Sequence, residues 1–294
     1  MYTYYKYTTS HTKATMLSDI VALLTGTTDK NLLSARCNKT STVISAGYDP
    51  AGWALWDNAA GTNKKVLRAP CDGDPNQYKY LSIDTETYTN RVSFAMHEDW
   101  DPATHTGVNS IGEEQPVVID YSTTQVGELF ISCTNRRVIF NSKINGVANY
   151  ACSLLEHNRE LTPNYIGSGL VPMAFLSWSE NLGNIVIVFT RFKQMNGIIY
   201  AAQGLPYTSV SIIGASIGSG LGGPVLEDGL RPIILSDFYF TNGVLYIPSF
   251  GVSGAKALIH TPSYALYDEF SYDGKTYVIM NLCTNHVNTA VPKG

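Results

Sequence analysis

The chain has 294 residues, enough for one large domain or two smaller ones with a substantial core. Only 15% of residues are charged, while Gly (25) and Tyr (19) are abundant and Thr and Asn recur, a composition of strands and turns rather than of helices. The formal charge of -4 leaves no basic face for a phosphate backbone, so nucleic acid is not expected as a direct partner.

Residues 1–9 (MYTYYKYTT) lack the apolar stretch of a secretory leader. The longest apolar runs, such as 185–189 (IVIVF), have strand length and fall far short of the roughly 20 residues of a membrane helix. The expectation is a protein made in the cytoplasm with no membrane partner. Its five cysteines, Cys37, Cys71, Cys133, Cys152 and Cys283, are odd in number, widely spaced and without a CxxC pair. Neither a disulfide framework nor a zinc site follows, and buried free thiols are expected.

The first element in chain order is a helix. In residues 12–26 (TKATMLSDIVALLTG), Leu17, Ile20, Val21 and Leu24 recur at helical spacing, after a Ser/Thr-rich entry and before Gly26 as the stop. One face should pack on a sheet. A second helical turn is expected at 28–35 (TDKNLLSA), and strands at 41–48, 53–59, 64–70, 78–86 and 91–100, separated by Asp-Pro, Ala-Gly and Asp-Gly-Asp-Pro turn chemistry. From about Pro116 to Pro206 the apolar runs VVIDY, GELFISCTN, RRVIFNSKI, ANYACSLLE, AFLSWS and NIVIVFTRF read as antiparallel strands. Asn145-Gly146 and Asn196-Gly197 mark reversals of type I′ within this stretch.

Residues 211–229 (SIIGASIGSGLGGPVLEDG) are too poor in bulky side chains to pack a layer and read as a long ordered loop or arm. Strands return at 237–252 and 270–284, turning at Asn242-Gly243 and Asp273-Gly274. The fold class that follows is mainly β, with antiparallel sheets stacked sandwich-like and one short amphipathic helix near the N-terminus. Two units are expected: a helix-plus-strand module at 1–115, and a β-rich body at 116–294 carrying the Gly-rich arm.

The opening residues carry a resemblance. A Tyr/Thr-rich start, the helix and an NLLSARCNKTSTVI segment lead into YDPAGWALWDNAAGTNKKVLRAPC (48–71) and YKYLSID (78–84), in which the order AGW, DNAAGTN, VL, APC is the most specific part. This resembles a module of bacteriophage virion and tail-associated proteins, over about residues 1–105, and YDGKTYVIMN (272–281) matches the closing segment of such proteins. The resemblance implies a particle component without catalytic activity, surrounded by other virion proteins.

Chemistry-bearing clusters were weighed against that implication. His97, Glu98, Asp99, Asp101 and His105 in HEDWDPATH have the residue types of a metal site, since His-x-Asp on a strand shares one face. A solvated strand end explains them more simply. Asp84 and Glu86, on one face of a strand, have the types of a glycosidase pair, yet such pairs are ordinary on exposed strands. GSGLGGP (218–224) lacks the Lys-Ser/Thr and the helix of a phosphate loop, and no GxSxG, HExxH or Cys-His context occurs. No catalytic, cofactor-binding or metal-binding residue is therefore expected, and no cofactor.

The function expected is a structural component of the tail, neck (collar) or baseplate of a phage, resident in the virion and assembling with itself. The alternative is a receptor-binding or glycan-degrading tail fibre or tailspike, whose mark would be aromatic platforms beside acidic side chains and whose partner would be a host glycan or receptor. Intersubunit contacts are expected from Tyr2, Tyr4, Tyr5 and Tyr7 and from Gly218, Gly220, Gly222 and Gly223, with docking of these segments on the chain's own body as the other option.

Overall fold

The computed structural model describes residues 2–7, 12–26, 52–71, 74–108, 110, 117–120, 122, 124–125, 127–156, 173–179, 183–193, 199–201, 211–213, 235–241, 250–258, 266–283 and 286–293. The chain enters through β1 (Tyr2–Tyr7) and α1 (Lys13–Thr25). Strands β2 (Ala54–Asp57), β3 (Lys64–Cys71), β4 (Asp74–Asp84), β5 (Arg91–His97) and β8 (Val117–Asp120) form a five-stranded antiparallel sheet in that order. Between its last two strands, β6 (Asp99–Asp101) and β7 (Thr106–Val108) form a two-stranded ribbon.

A seven-stranded antiparallel sheet runs in the order β1, β9 (Gly127–Thr134), β10 (Arg137–Ile144), β11 (Val147–Glu156), β12 (Met173–Ser179), β13 (Gly183–Lys193) and β14 (Ile199–Ala201). The third sheet takes its six strands from β15 (Ser211–Ile213), β16 (Leu235–Thr241), β17 (Phe250–Leu258), β18 (Glu269–Tyr272), β19 (Lys275–Cys283) and β20 (His286–Pro292), in the order β15-β16-β17-β20-β19-β18. The class is mainly β and antiparallel with one helix among the described residues, as the composition and turn chemistry predict. No described helix is long and apolar enough to cross a membrane.

Local signals explain the elements that sequence places best. Thr12 caps α1 by accepting from the Thr15 amide at 3.2 Å, and Gly26 ends it with φ 77°, a left-handed value that a Cβ disfavours. The two Asn-Gly and Asp-Gly turns among the described residues, Asn145-Gly146 (φ 52° and 81°) and Asp273-Gly274 (φ 48° and 70°), have the paired positive φ of type I′. The turns expected at Asn196-Gly197 and Asn242-Gly243, the helical turn at 28–35 and the strand at 41–48 lie outside the described residues.

Two expectations are corrected. The segment 91–100 is not one strand: β5 ends at His97, and Asp99 starts the ribbon, its neighbour Glu98 donating from its amide to Val108 O at 3.1 Å. The arm at 211–229 begins with a strand, because Ser211–Ile213 pairs with Tyr239–Thr241. The opening tyrosines form a strand on the chain's own sheet, with Tyr2 opposite Ser132 and Tyr7 opposite Gly127.

One core gathers the helix and two sheets. Met16, Leu17, Ile20, Leu23 and Leu24 of α1 join Leu67, Leu81, Ile83, Phe94 and Met96 of the five-stranded sheet and Leu129, Ile131, Val138, Phe140 and Leu154 of the seven-stranded sheet. Phe94 and Phe140 stack at 4.6 Å across the junction. Residues on both sides of position 115 thus share one core, in which each buried Leu, Ile or Phe contributes about 1.5–3 kcal/mol. Its edge holds a buried ion pair, Lys79 Nζ to Glu156 Oε2 at 2.6 Å, joining β4 to β11.

The third sheet has its own small core of Phe270, Tyr277, Ile279 and Ala290, with Leu235 and Leu266 against it. Its link to the seven-stranded sheet is polar and specific. The Asn141 amide donates from Nδ2 to Asn281 O at 2.8 Å and accepts on Oδ1 from Asn281 N at 2.9 Å, so a side chain performs the pairing that a neighbouring strand would perform. Beside it Phe130 stacks on Tyr267 at 3.5 Å, with Lys143 Nζ 4.6 Å from the Tyr267 ring centre.

Candidate functional site

Strand alternation puts Leu67, Leu81 and Ile83 into the core and their neighbours on the opposite face of the five-stranded sheet. Register then lines up Arg68 with Tyr80, Tyr80 with His97, and Ser82 with Ala95. The β6–β7 ribbon delivers Trp100 to this face, where Val66, Tyr80 and Trp100 form a second small core with Trp56 and Ala60 packed against it.

At its centre lies Asp57, 4% exposed. One carboxylate oxygen, Oδ2, accepts from Trp100 Nε1 at 2.8 Å and pairs with His105 Nδ1 at 2.8 Å, while Oδ1 accepts from the Ala59 amide at 2.8 Å. Burial alone raises the pKa of this carboxyl; the donors, His105 first, outweigh burial and hold it below the ordinary value. His105 reaches Asp57 from a left-handed backbone with φ 57°. The strained residue therefore clamps the ribbon to β2.

His97 is a second anchor. Its Nε2 lies 3.0 Å from Ser82 Oγ and its Nδ1 2.7 Å from Ser110 Oγ, while Ser82 Oγ donates to Ala95 O at 3.4 Å. With the Ser82 proton engaged by Ala95 O, Nε2 donates to Ser82 Oγ, and Nδ1 bonds the Ser110 hydroxyl. Trp100 packs edge-on to the ring at 4.8 Å. A Cβ on Gly107 would fall 2.1 Å from Nδ1, so only glycine fits against the imidazole.

The HEDWDPATH residues are thus divided among structural duties, and the solvated loop expected there is only partly solvated: His97 is buried at 2% exposure. Asp101 caps a turn, its carboxyl held below the ordinary value by the Ala103 amide and the Thr104 hydroxyl. No group of three or more potential metal ligands occurs among the described residues. Asp84 accepts from the amides of Glu86 and Thr87 and from the Thr87 hydroxyl, closing the turn after β4.

The lip of the same face is chemically distinct. The Arg68 guanidinium lies 3.8 Å from the Trp56 ring centre and 4.5 Å from that of Tyr78. Trp56 in turn leans on Tyr80, centroids 6.2 Å apart. Tyr80 lies directly across the strands from Arg68; burial first, then the Asp99 charge, push its phenol above the ordinary pKa against the opposing pull of Arg68. Asp99 is exposed, and so is Tyr78 (37%). Sequence reading misses this group because its members come from positions 56, 68, 78, 80 and 99.

Of the expected oligomer contacts, Tyr2, Tyr4, Tyr5 and Tyr7 belong to β1, while Gly218, Gly220, Gly222 and Gly223 lie outside the described residues. Cys71, Cys133 and Cys152 are free thiols. Complete burial pushes Cys133 up to about 12 and Cys152 well above its ordinary value. No protein-family model matches the chain, and no curated protein matches it either.

Proposed function

We propose that the chain is a structural building block of a bacteriophage particle, in the tail, neck or baseplate, made in the host cytoplasm and assembling with itself and with other virion proteins. The residues that carry the resemblance support this reading by what they do. Gly52, with φ 82°, runs so close to Asn135 that a Cβ there would fall 2.9 Å from its Cβ, and Trp53 buries its ring while donating from Nε1 to Thr134 O at 3.1 Å. Gly52 and Trp53 therefore dock the opening module on the β9–β10 turn, a scaffolding task.

Self-assembly is supported by one observation: among the described residues, β1 is the outermost strand of the seven-stranded sheet and pairs only with β9. Its other side presents a six-residue row of backbone donors and acceptors, moderated by one charge at Lys6. Such an edge is a template for a strand of another copy, by added pairing or by exchange of β1 between copies. Deleting residues 2–7, or replacing 216–223, should leave a folded monomer that no longer assembles. A truncated chain that joined particles at normal copy number would remove the basis for assembly through these segments. Quantitative mass spectrometry should find the protein in purified particles in stoichiometric, symmetry-related copies, and its restriction to infected cells would end the structural reading.

A further inference from the structure

We propose that the lip formed by Trp56, Arg68, Tyr78, Tyr80 and Asp99 binds a neutral saccharide. The inference rests on the chemistry of this face and is independent of whether the chain builds a particle.

The Arg68 guanidinium lies within cation–π distance of two rings, Trp56 at 3.8 Å and Tyr78 at 4.5 Å, which fix its plane before any ligand arrives. Among the described residues no carboxylate pairs with it directly, and its neighbour across the strands is Tyr80. Arginine carries five N–H donors, so most remain available at the edge of the stack. Asp99, near enough for its charge to raise the Tyr80 phenol, is an exposed acceptor whose Oδ1 holds the Trp100 amide at 2.8 Å. A donor and an acceptor thus flank one phenol.

That pairing selects the ligand class. A free anion gains from Arg68 but meets the charge of Asp99, and a cation meets the reverse. A hydroxyl donates and accepts at once, so two neighbouring hydroxyls satisfy both side chains without net charge. The exposed ring of Tyr78 offers an apolar surface for the C–H face of a sugar ring. Beneath it Tyr80 is only 7% exposed and sits on a central strand, so little ordering entropy is lost on binding.

The test uses the full chain, fluorescently labelled, on an array of neutral oligosaccharides (gluco-, galacto-, manno-, rhamno- and N-acetylglucosamine series) printed beside uronate- and sialate-bearing glycans. Titration should give saturable binding to one or more neutral series. Tyr78→Ala and Arg68→Met should each weaken it about tenfold or more, equivalent to about 1.4 kcal/mol. Tyr272→Ala, an equally exposed tyrosine on the third sheet, should leave it unchanged. Circular dichroism checks the fold of each variant; should the first two fail to fold, the exposed Asp99→Asn decides, with a loss of at least threefold expected. Absence of binding to every neutral series, binding restricted to the acidic glycans, or binding indifferent to these substitutions would overturn the proposal.

Discussion

Replacing Lys79 by methionine should cost the protein far more than a surface charge is worth. Its ammonium meets Glu156 Oε2 at 2.6 Å, the two side chains being 4% and 0% exposed, and also donates to Pro70 O at 3.0 Å. At that separation the attraction is about 6 kcal/mol for an effective dielectric of 20. Desolvation, at several kcal/mol per ion, consumes most of it, so the pair itself adds little net stability. The asymmetry appears when one partner goes. Lys79→Met leaves a carboxylate buried at 0% exposure, and Glu156→Leu leaves a buried ammonium, each costing about 3–5 kcal/mol. The melting temperature should fall by roughly 6–20 °C in either variant. The double variant removes both charges and should recover to within about 1 kcal/mol of the parent. Calorimetry or urea unfolding of all four proteins closes the cycle. A double variant as unstable as the worse single one would place the energy in packing around Trp53 and Pro70 instead of in the charge pair.

Three further outcomes follow from other parts of the fold. Asn141→Leu strips Asn281 of both backbone partners in a buried setting and should lower stability by about 2–4 kcal/mol in urea unfolding. Since Asp57 is held below its ordinary pKa in the folded state, its ionisation contributes stability that is present above the unfolded value and lost as pH falls through the folded one. Asp57→Asn should therefore flatten the acid limb of a stability-against-pH curve below about pH 4, and an unchanged limb would refute the role assigned to its donors. Thiol titration should find five reactive groups after denaturation, while in the native protein Cys133 and Cys152 stay silent because burial holds both as thiols.

The parts legible in the sequence are those with local causes. Thr12 and Gly26 bound the helix, and Asn145-Gly146 and Asp273-Gly274 fix their hairpins, because each signal acts within a few residues. Strands β3 and β9 are likewise readable from apolar runs. The candidate site is not, since Arg68, Tyr80 and His97 become neighbours only through the register of three strands, and Trp56 and Asp99 arrive from a bulged edge and a ribbon. Asp57 reads as one more turn residue in WDNAAG, and only the fold brings His105 and Trp100 to it. Asn141 is similarly silent: it looks like a polar residue in a strand until its partner, Asn281, is packed against it.

The pairing of β1 with β9 sets a clock on synthesis. Tyr2 leaves the ribosome about 130 residues before Ser132, its partner across the sheet. At ordinary elongation speeds that interval is on the order of 10 s, long compared with hairpin closure in microseconds. Throughout it the first strand has nowhere to go within its own chain, whereas a neighbouring nascent chain further along the same message already displays a finished β9. If copies exchange β1 as proposed, which copy captures the strand is a race between intramolecular and intermolecular pairing, set by ribosome spacing as much as by the sequence.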